Sequence, residues 1–129
     1  MIIKKETQIK LNNLLRLPAT RLEQDWDIEL ADETRLIEFL DLSESIDLSD
    51  MEKSAVIALI LASYDDYIEV KSDTDGMIWD RITGLLDYQK TNCHDLLQYW
   101  GLPEEEDESE VFNITPLVRS YIRKLQRLD

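Results

Sequence analysis

The sequence predicts an all-α fold: a single-domain bundle of five to seven helices around a central apolar helix at about residues 50–70. Three observations lead to this prediction. The 129 residues include only three glycines and three prolines, so long segments lack helix breakers. Apolar residues recur at helical spacing along most of the chain. The stretch Ala55–Tyr64 is almost wholly apolar, which is typical of a helix enclosed by others. We expect residues 1–129 to form one domain.

The N-terminal part of the chain predicts three helices. The first spans about Lys4–Arg16 and ends before Pro18, which cannot continue a helix. A short second helix is expected after Pro18, with Leu22 and Trp26 among its residues. Asp32 is expected to cap the third helix, because its carboxylate can accept hydrogen bonds from the free amide groups at a helix start.

The strongest helix signal lies at residues 50–70. Ser49 and Glu52 have the spacing of a capping box, in which each side chain satisfies an amide group near the helix start. Few polar side chains follow, so we expect Ala55–Tyr64 to be the least exposed part of the chain. Residues 72–76, Ser-Asp-Thr-Asp-Gly, then predict a turn by composition.

Three further helices are predicted after this turn. The first runs to about Gln89. The second covers about Thr91–Trp100 and is expected to end at Gly101, in the left-handed conformation that closes many helices. Thr115 is expected to cap the last helix, with Pro116 at its first position. The apolar residues expected to point inward from the first of these helices are Met77, Ile78, Ile82, Leu85 and Leu86.

Charge is distributed unevenly along the chain, whose net charge is −14. Residues 23–110, here called the acidic body, contain 26 of the 28 acidic residues but five of the 14 basic ones, a net charge of −21. This charge disfavours binding to nucleic-acid phosphates or anionic lipid and favours a basic protein partner. The alternative is that the acidity serves solubility and pairs with the basic flanks. The last helix carries basic residues expected to point outward: Arg119, Arg123, Lys124 and Arg127.

Cysteine use and hydropathy predict a cytoplasmic protein that does not associate with membranes. Cys93 is the only cysteine, so no intramolecular disulfide can form, which fits a reducing compartment. The N-terminal sequence lacks the long apolar segment of a signal peptide. The longest apolar stretch, Ala55–Ala62, is far shorter than the roughly 20 residues that cross a bilayer.

Catalytic chemistry finds little support in the sequence. His94 is the only histidine, and it is adjacent to Cys93. Adjacent residues of a helix point in different directions, so these two are not expected to form a nucleophile and base pair. Cys93 is expected to be a small buried apolar group. We therefore predict no catalytic residue, no metal ligand and no cofactor, and we do not expect an enzyme.

One enzymatic alternative remains open. Asp41 and Glu44, and likewise Asp66 and Glu69, are acidic pairs three residues apart. All-α nucleotide pyrophosphatases bind Mg²⁺ with such pairs on two facing helices. The pairs here lack the usual Glu-x-x-Glu and Glu-x-x-Asp identities, and 28 acidic residues produce this spacing easily. Solvated helix ends are the simpler interpretation.

Acidic and aromatic residues recur together through the acidic body, in the segments Asp25-Trp26-Asp27, Asp65-Asp66-Tyr67, Trp79-Asp80, Asp87-Tyr88 and Tyr99-Trp100. Interfaces use Tyr and Trp as anchors, with charges that steer the partner. Most of these aromatic residues are expected to face the core, and Tyr67 is expected to be the best exposed. Two surfaces are predicted to bind the partner: the end of the central helix with its turn, and the loop at 104–110. Their residues are Asp65, Asp66, Tyr67, Glu69, Asp73, Asp75, Glu104, Glu105, Glu106, Asp107, Glu108 and Glu110.

The C-terminal third also carries a recognisable pattern. Leu96–Trp100, the acid-rich loop and Phe112–Arg119 together resemble small acidic bacterial immunity proteins of contact-dependent inhibition and other polymorphic toxin systems. The resemblance implies a protein that neutralises a cognate toxin domain, often a nuclease, by tight stoichiometric binding. It implies no particular site residues, because these proteins have many different folds.

The sequence therefore predicts an immunity or inhibitor protein that binds a toxin domain through an acidic surface. Two other functions remain as alternatives. One is a nucleic-acid mimic that inhibits a DNA-binding protein, and the other is the Mg²⁺-dependent nucleotide pyrophosphatase.

Overall fold

Seven α-helices and two 3-10 turns, joined by short loops, make up the computed structural model, which describes residues 2–89 and 92–128. No β-strand occurs in these two ranges, and the predicted all-α fold is confirmed. The 3-10 turns are Glu33–Arg35 and Glu108–Glu110. The helices are α1 (Lys5–Leu14), α2 (Trp26–Glu29), α3 (Leu36–Ser45), α4 (Asp50–Val70), α5 (Met77–Tyr88), α6 (His94–Gly101) and α7 (Thr115–Leu128).

The 21-residue helix α4 lies at the centre of the bundle. The Ser49 hydroxyl accepts a hydrogen bond from the Glu52 N–H (3.2 Å), and the Glu52 carboxylate accepts one from the Ser49 N–H (2.9 Å), so the capping box is confirmed. Every residue from Ser54 to Tyr64 is buried. Helices α1, α2, α3 and α5 all contact α4, while α7 packs on α6. A helix that is apolar on most sides is stable when neighbouring elements cover most of its sides.

The segment between α1 and α2 is not helical, so the predicted second helix is wrong in its first part. Glu23 accepts hydrogen bonds from the backbone N–H groups of Thr20 (2.9 Å) and Arg21 (3.2 Å), and Arg21 has a φ of 70°. Such local bonds hold a turn that competes with helix formation. Leu22 is consequently 83% exposed, and the helix is reduced to the single turn Trp26–Glu29.

The turn before α5 has the predicted form, with Gly76 in the left-handed conformation at a φ of 69°. Ile82 and Leu86 of α5 are buried, and two other predicted core positions are half-buried. Met77 is 65% exposed instead of pointing inward, because it is the first residue of α5, beside the exposed turn. The helix predicted from about Thr91 begins later, at His94, the first residue of α6. Thr91 itself lies outside the described residues.

Gly101 serves close packing instead of the predicted left-handed helix end. It lies inside α6, and the left-handed residue is Leu102, with a φ of 42°. A Cβ atom on Gly101 would lie 3.1 Å from Cδ1 of Ile122 and 3.4 Å from Cγ1 of Val118. Glycine at this position therefore allows α6 to approach α7 closely.

Two predictions for α7 are also wrong, the N-cap role of Thr115 and the outward direction of Arg119, because both side chains bind α6. Thr115 is the first residue of α7 and is fully buried; its hydroxyl donates to the Trp100 carbonyl (2.8 Å) and accepts from the Phe112 N–H (3.0 Å). Arg119 turns inward, and its Nε donates to the carbonyl of Gly101 (2.8 Å). Hydrogen bonds thus join α6 and α7 into one unit.

Candidate protein-binding surface

Three consecutive residues near the end of α4, Asp65, Asp66 and Tyr67, face three different neighbours. Successive residues of an α-helix are rotated by about 100°, since one turn takes about 3.6 residues. Adjacent acidic residues therefore do not share one face. The predicted patch at the end of this helix is divided among these three directions, which corrects the grouping made from sequence.

Asp65 and Glu69 face the start of α7. An Asp65 carboxylate oxygen accepts a hydrogen bond from the Ile114 N–H (2.9 Å). The Asn113 side-chain amide donates to Oε2 of Glu69 (3.1 Å) and to the carbonyl of Asp65 (3.3 Å). Burial raises the pKa of Asp65, and the nearby carboxylates of Asp66 and Glu69 also raise it. These two acidic residues tie α4 to α7.

Asp66 faces the first 3-10 turn and remains exposed. Partial burial raises its pKa, and the carboxylates of Glu33 and Glu69 raise it further. One turn earlier in α4, the Ser63 hydroxyl accepts a hydrogen bond from the Asp32 N–H (3.0 Å), which holds the 3-10 turn against this side of the helix. In the part of the chain that the structure describes, neither the exposed Asp66 nor the half-buried Glu33 forms an ion pair.

Tyr67 packs within an aromatic stack and is half-buried. Its ring lies 6.3 Å from that of Tyr64, which in turn lies 5.7 Å from that of Trp79, measured between ring centroids. Tyr64 and Tyr67 are three residues apart and share one face of α4. The prediction that Tyr67 is the best exposed aromatic residue is therefore wrong. Tyr88 and Tyr99 are more exposed, at 89% and 45%.

Asp73 and Asp75 organise the turn that leads into α5. Asp73 accepts hydrogen bonds from the Tyr64 hydroxyl (2.7 Å) and the Trp79 N–H (3.1 Å). Asp75 accepts one from the Met77 N–H (3.2 Å). Burial, together with the bond to Asp73, raises the pKa of Tyr64. Both carboxylates cap the start of α5, so they already have a role in the fold.

The loop Glu104–Glu110 is exposed except for Glu105, which is half-buried. Arg119 anchors the loop: its guanidinium donates to the carbonyl of Glu105 (2.7 Å) and lies 3.4 Å from the carboxylate of Glu108. Asp107 accepts hydrogen bonds from the hydroxyl and N–H of the serine two positions later, and these bonds lower its pKa. The loop is thus held at its base, while its acidic side chains face solvent.

A further acidic site forms where α2 lies beside α6. Asp25, Asp27, Ile28, Leu96 and Tyr99 line a shallow pocket of about 80 Å³. Burial raises the pKa of Asp27, and the nearby carboxylate of Asp25 raises it further. Two carboxylates therefore stand beside an aromatic ring and an aliphatic side chain in a partly enclosed site.

Asp65 also contributes negative charge to this site. Burial raises the pKa of Tyr99, and the carboxylates of Asp27, Asp25 and Asp65 raise it further. Trp26 and Trp100 are each 2% exposed, whereas their neighbours Asp25 and Tyr99 are exposed and Asp27 is half-buried. The sequence had no signal that brings α2 beside α6, which is why it did not predict this site. We call it the Tyr99 surface, and it comprises Asp25, Asp27, Ile28 and Tyr99.

The carboxylate pairs of the enzymatic alternative are engaged by other side chains. Arg81 lies 2.8 Å from Oδ1 of Asp41 and 3.0 Å from Oε1 of Glu44, so this pair already holds a cation. Glu69 of the second pair binds Asn113. Across residues 2–89 and 92–128, no group of three or more His, Cys, Asp or Glu side chains could hold a metal ion.

Cys93 is fully buried, as predicted for a small apolar core group. Burial raises the pKa of its thiol to about 11. The thiolate is the nucleophilic form of cysteine, so Cys93 is a poor nucleophile at neutral pH. His94, its neighbour in sequence, is exposed.

Comparisons with known proteins add no further assignment. No protein-family model, curated protein or solved structure matches the chain. Within the described ranges, no helix has both the length and the apolarity needed to cross a membrane.

Proposed function

We propose that this protein binds a basic protein partner and inhibits it, as a cytoplasmic immunity protein that neutralises a cognate toxin domain. The observation that carries the proposal is the negative charge that the fold leaves unpaired. The acidic body contains 26 acidic residues, and five of these form ion pairs among the described residues. Their basic partners are Lys10, Arg35, Arg81 and Arg119.

Internal neutralisation by the basic flanks is limited. Nine basic residues lie outside the acidic body, and two of these pair with it in the described chain: Lys10 with Glu52 (2.7 Å) and Arg119 with Glu108 (3.4 Å). Unpaired like charges repel one another and oppose compaction of the chain. A surface that keeps this charge supports a role in attracting a basic partner, in addition to solubility.

The Tyr99 surface has the composition of an interface centre. Tyr99 is 45% exposed and Ile28 is 39% exposed, so both offer apolar contact area. Carboxylates in a partly enclosed site interact with a cation more strongly than carboxylates in open solvent. A lysine or arginine of the partner would fit between Asp25 and Asp27, with the Tyr99 ring beside it. The loop Glu104–Glu110, which is open to solvent, suits long-range attraction better than close packing.

The mode of inhibition follows from the charge. Where the partner is a nuclease, its phosphate-binding cleft is the most basic surface that it offers. Carboxylates of this protein would stand where nucleic-acid phosphates normally lie and would exclude the substrate. Charge attraction would also accelerate the encounter of the two proteins.

The proposal is tested by isolating the partner and measuring inhibition. The full chain, carrying an affinity tag, is used to capture proteins at about 0.1 M salt, and bound proteins are eluted at about 1 M salt, where charge attraction is screened. We expect a basic protein whose expression stops cell growth, and we expect growth to recover when this chain is co-expressed. A captured partner that is acidic, or one whose activity this chain leaves unchanged, would contradict the proposal.

The position of the interface is tested with a matched pair of double variants. Asp27→Asn combined with Tyr99→Ala should raise the dissociation rate of the complex at least about tenfold, since both residues lie in the proposed centre. Asp47→Asn combined with Tyr88→Ala removes the same groups from exposed positions elsewhere and should leave the rate within about twofold. If only the second variant weakens the complex, the Tyr99 surface is not the interface.

A further inference from the structure

Helix α7 carries a cationic face that the fold leaves open. Arg123, Lys124 and Arg127 are exposed, and within the described residues no carboxylate lies within ion-pair distance of them. Arg119 of the same helix differs, because its guanidinium binds backbone carbonyls and Glu108. Three cations within five residues, little more than one helical turn, repel one another, so an external anion would stabilise this face.

The acidic loop lies along the same edge of α7. Arg119, Arg123 and Arg127 are each four residues apart, so they form one row on the helix surface. At the Arg119 end, the row is covered by the loop Glu104–Glu110, which Arg119 holds. At the other end, the row is cationic. Eight residues of helix span about 12 Å, so a negative and a positive region follow one another along a short edge.

We infer that this edge binds a second copy of the same chain, with the two α7 helices antiparallel and related by a two-fold axis. In this arrangement, the loop Glu104–Glu110 of each copy faces Arg123, Lys124 and Arg127 of the other. A two-fold axis repeats each contact, so an edge that is negative at one end and positive at the other is self-complementary. Half-buried Leu117, Ile122 and Leu125 pack against the core, so the association depends on the charged residues of the edge.

A second copy fits this edge better than a nucleic acid does. A polyanion bound to the three cations would also approach the acidic loop at the other end of the same edge, which would repel it. A second copy instead presents cations to that loop. The net charge of −14 on each copy opposes association at low salt, where repulsion extends far from the surface. Association should therefore be strongest near about 0.1 M salt, where the screening length is about 10 Å, and weak at about 1 M.

Sedimentation equilibrium of the full chain tests this inference without the partner. We expect a monomer–dimer equilibrium at about 0.1 M salt, which shifts to monomer at about 1 M. Protein concentrations up to about 1 mM make a weak dimer detectable. A chain that remains monomeric under all these conditions would overturn the inference and leave the proposed inhibitor function untouched, because that function requires no dimer.

A charge-swap experiment identifies the surfaces. One variant carries Arg123→Glu, Lys124→Glu and Arg127→Glu, and the other carries Glu104→Lys, Glu106→Lys and Glu110→Lys. Each variant alone should be monomeric. In the first variant both ends of the edge are negative, and in the second the three lysines offset the three acidic residues that remain in the loop, so the loop no longer attracts the cations of α7. An equimolar mixture should regain a 1:1 dimer, since the cations of the loop variant then face the acidic loop of the α7 variant, and the new lysines face the new glutamates.

The mixture guards against variants that simply fail to fold, because it requires association to return. A matched control replaces three exposed acidic residues elsewhere, in the variant Asp47→Lys, Asp80→Lys and Asp95→Lys. When this control is mixed with the α7 variant, no heterodimer should form. A mixture of the α7 and loop variants that stays monomeric would overturn the inference. The inference would also be overturned if the wild-type chain stayed monomeric and bound duplex DNA through these cations. The edge would then be a nucleic-acid site.

Discussion

The two halves of α4 use one continuous helix in opposite ways. From Ser54 to Tyr64 every residue is buried, and four helices enclose this half. From Asp65 to Val70 the side chains contact separate neighbours or face solvent. The first half forms the core, and the second ties surrounding elements to it. The comparison shows that a high density of acidic residues does not by itself make a binding face, since several of these carboxylates stabilise the fold.

The largest effect is expected in the buried half. Leu61 is fully buried, so Leu61→Ala should lower the free energy of unfolding by about 2–5 kcal/mol through the cavity that it leaves. Met77→Ala, at a position that is 65% exposed, is the control and should cost less than about 0.5 kcal/mol. Denaturant unfolding measures both. A loss below about 1 kcal/mol for Leu61→Ala would show that α4 is not tightly enclosed.

A smaller effect is expected at the first acidic residue beyond this half. Asp65→Ala removes the acceptor of the Ile114 N–H and should cost about 1–3 kcal/mol, because a partly buried donor is left unpaired. Asp66→Ala should change stability by less than about 0.5 kcal/mol, since Asp66 is exposed and makes no such bond. Denaturant unfolding measures both variants. Equal losses of unfolding free energy would contradict the different roles of Asp65 and Asp66.

The loop should show the reverse behaviour, with little effect on stability and a clear effect on binding. The triple variant Glu104→Gln, Glu106→Gln and Glu110→Gln changes exposed side chains and should alter the free energy of unfolding by less than about 0.5 kcal/mol. Its association with the captured partner should be slower at low salt, with a similar dissociation rate. Stopped-flow mixing measures both rates. An association rate that responds neither to salt nor to this variant would mean that the acidity serves solubility.

A small pH effect is expected from the acidic residues in enclosed sites. Burial raises the pKa of Asp27, Asp65 and Asp66 above the unfolded value, so protonation favours the folded state. Stability should therefore increase as the pH falls from 7 through these raised pKa values toward about 3.9, the ordinary pKa of aspartate. A bond to Arg35 lowers the pKa of Glu38, and a bond to Lys10 lowers the pKa of Glu52. The stability that these two bonds contribute is lost at lower pH, when the carboxylates become protonated.

Thermal unfolding at constant ionic strength tests the direction of this pH dependence. The midpoint should be slightly higher near pH 5 than at pH 7, and it should decline below about pH 4 as carboxylates with lowered pKa values become protonated. The double variant Asp27→Asn and Asp66→Asn should flatten the rise. A midpoint that falls steadily from pH 7 to pH 5 would contradict the prediction.

No catalytic effect is expected from the paired carboxylates. Arg81 binds both Asp41 and Glu44 and offsets one of their two negative charges, so Mg²⁺ would have to displace its guanidinium. The chain should not release pyrophosphate from nucleoside triphosphates in the presence of Mg²⁺. Such activity, if abolished by Glu44→Gln or Glu69→Gln, would establish the enzymatic alternative.

Features governed by neighbours in the chain were predicted well. The capping box of Ser49 and Glu52 and the bounds of α4 agree with the sequence prediction. Asp32 acts as a cap by accepting from the Thr34 N–H (3.0 Å), although it caps the 3-10 turn that precedes α3 and not α3 itself. The predicted turn at residues 72–76 is present, with Gly76 in the left-handed conformation. Each depends on groups within about five residues, so the local sequence contains the complete interaction.

Features governed by distant residues were not predicted. The same Gly-Leu-Pro sequence that ends α6 also brings Gly101 against Ile122 and Val118, which local helix-end rules cannot anticipate. Thr115 has the composition of a cap, yet its hydroxyl binds a carbonyl 15 residues away. Side-chain partners of this kind depend on which helices become neighbours.

The sequence by itself determined the helical class, the central position of α4 and the negative charge of the surface, because composition and periodicity act along the chain. The tertiary structure decided how that charge is arranged. It assigned Asp65 and Asp73 to holding the fold, and it brought Asp25 and Asp27 beside Tyr99, more than 70 positions later in the chain. Helix packing sets which side chains share a surface, and packing depends on all the helices at once.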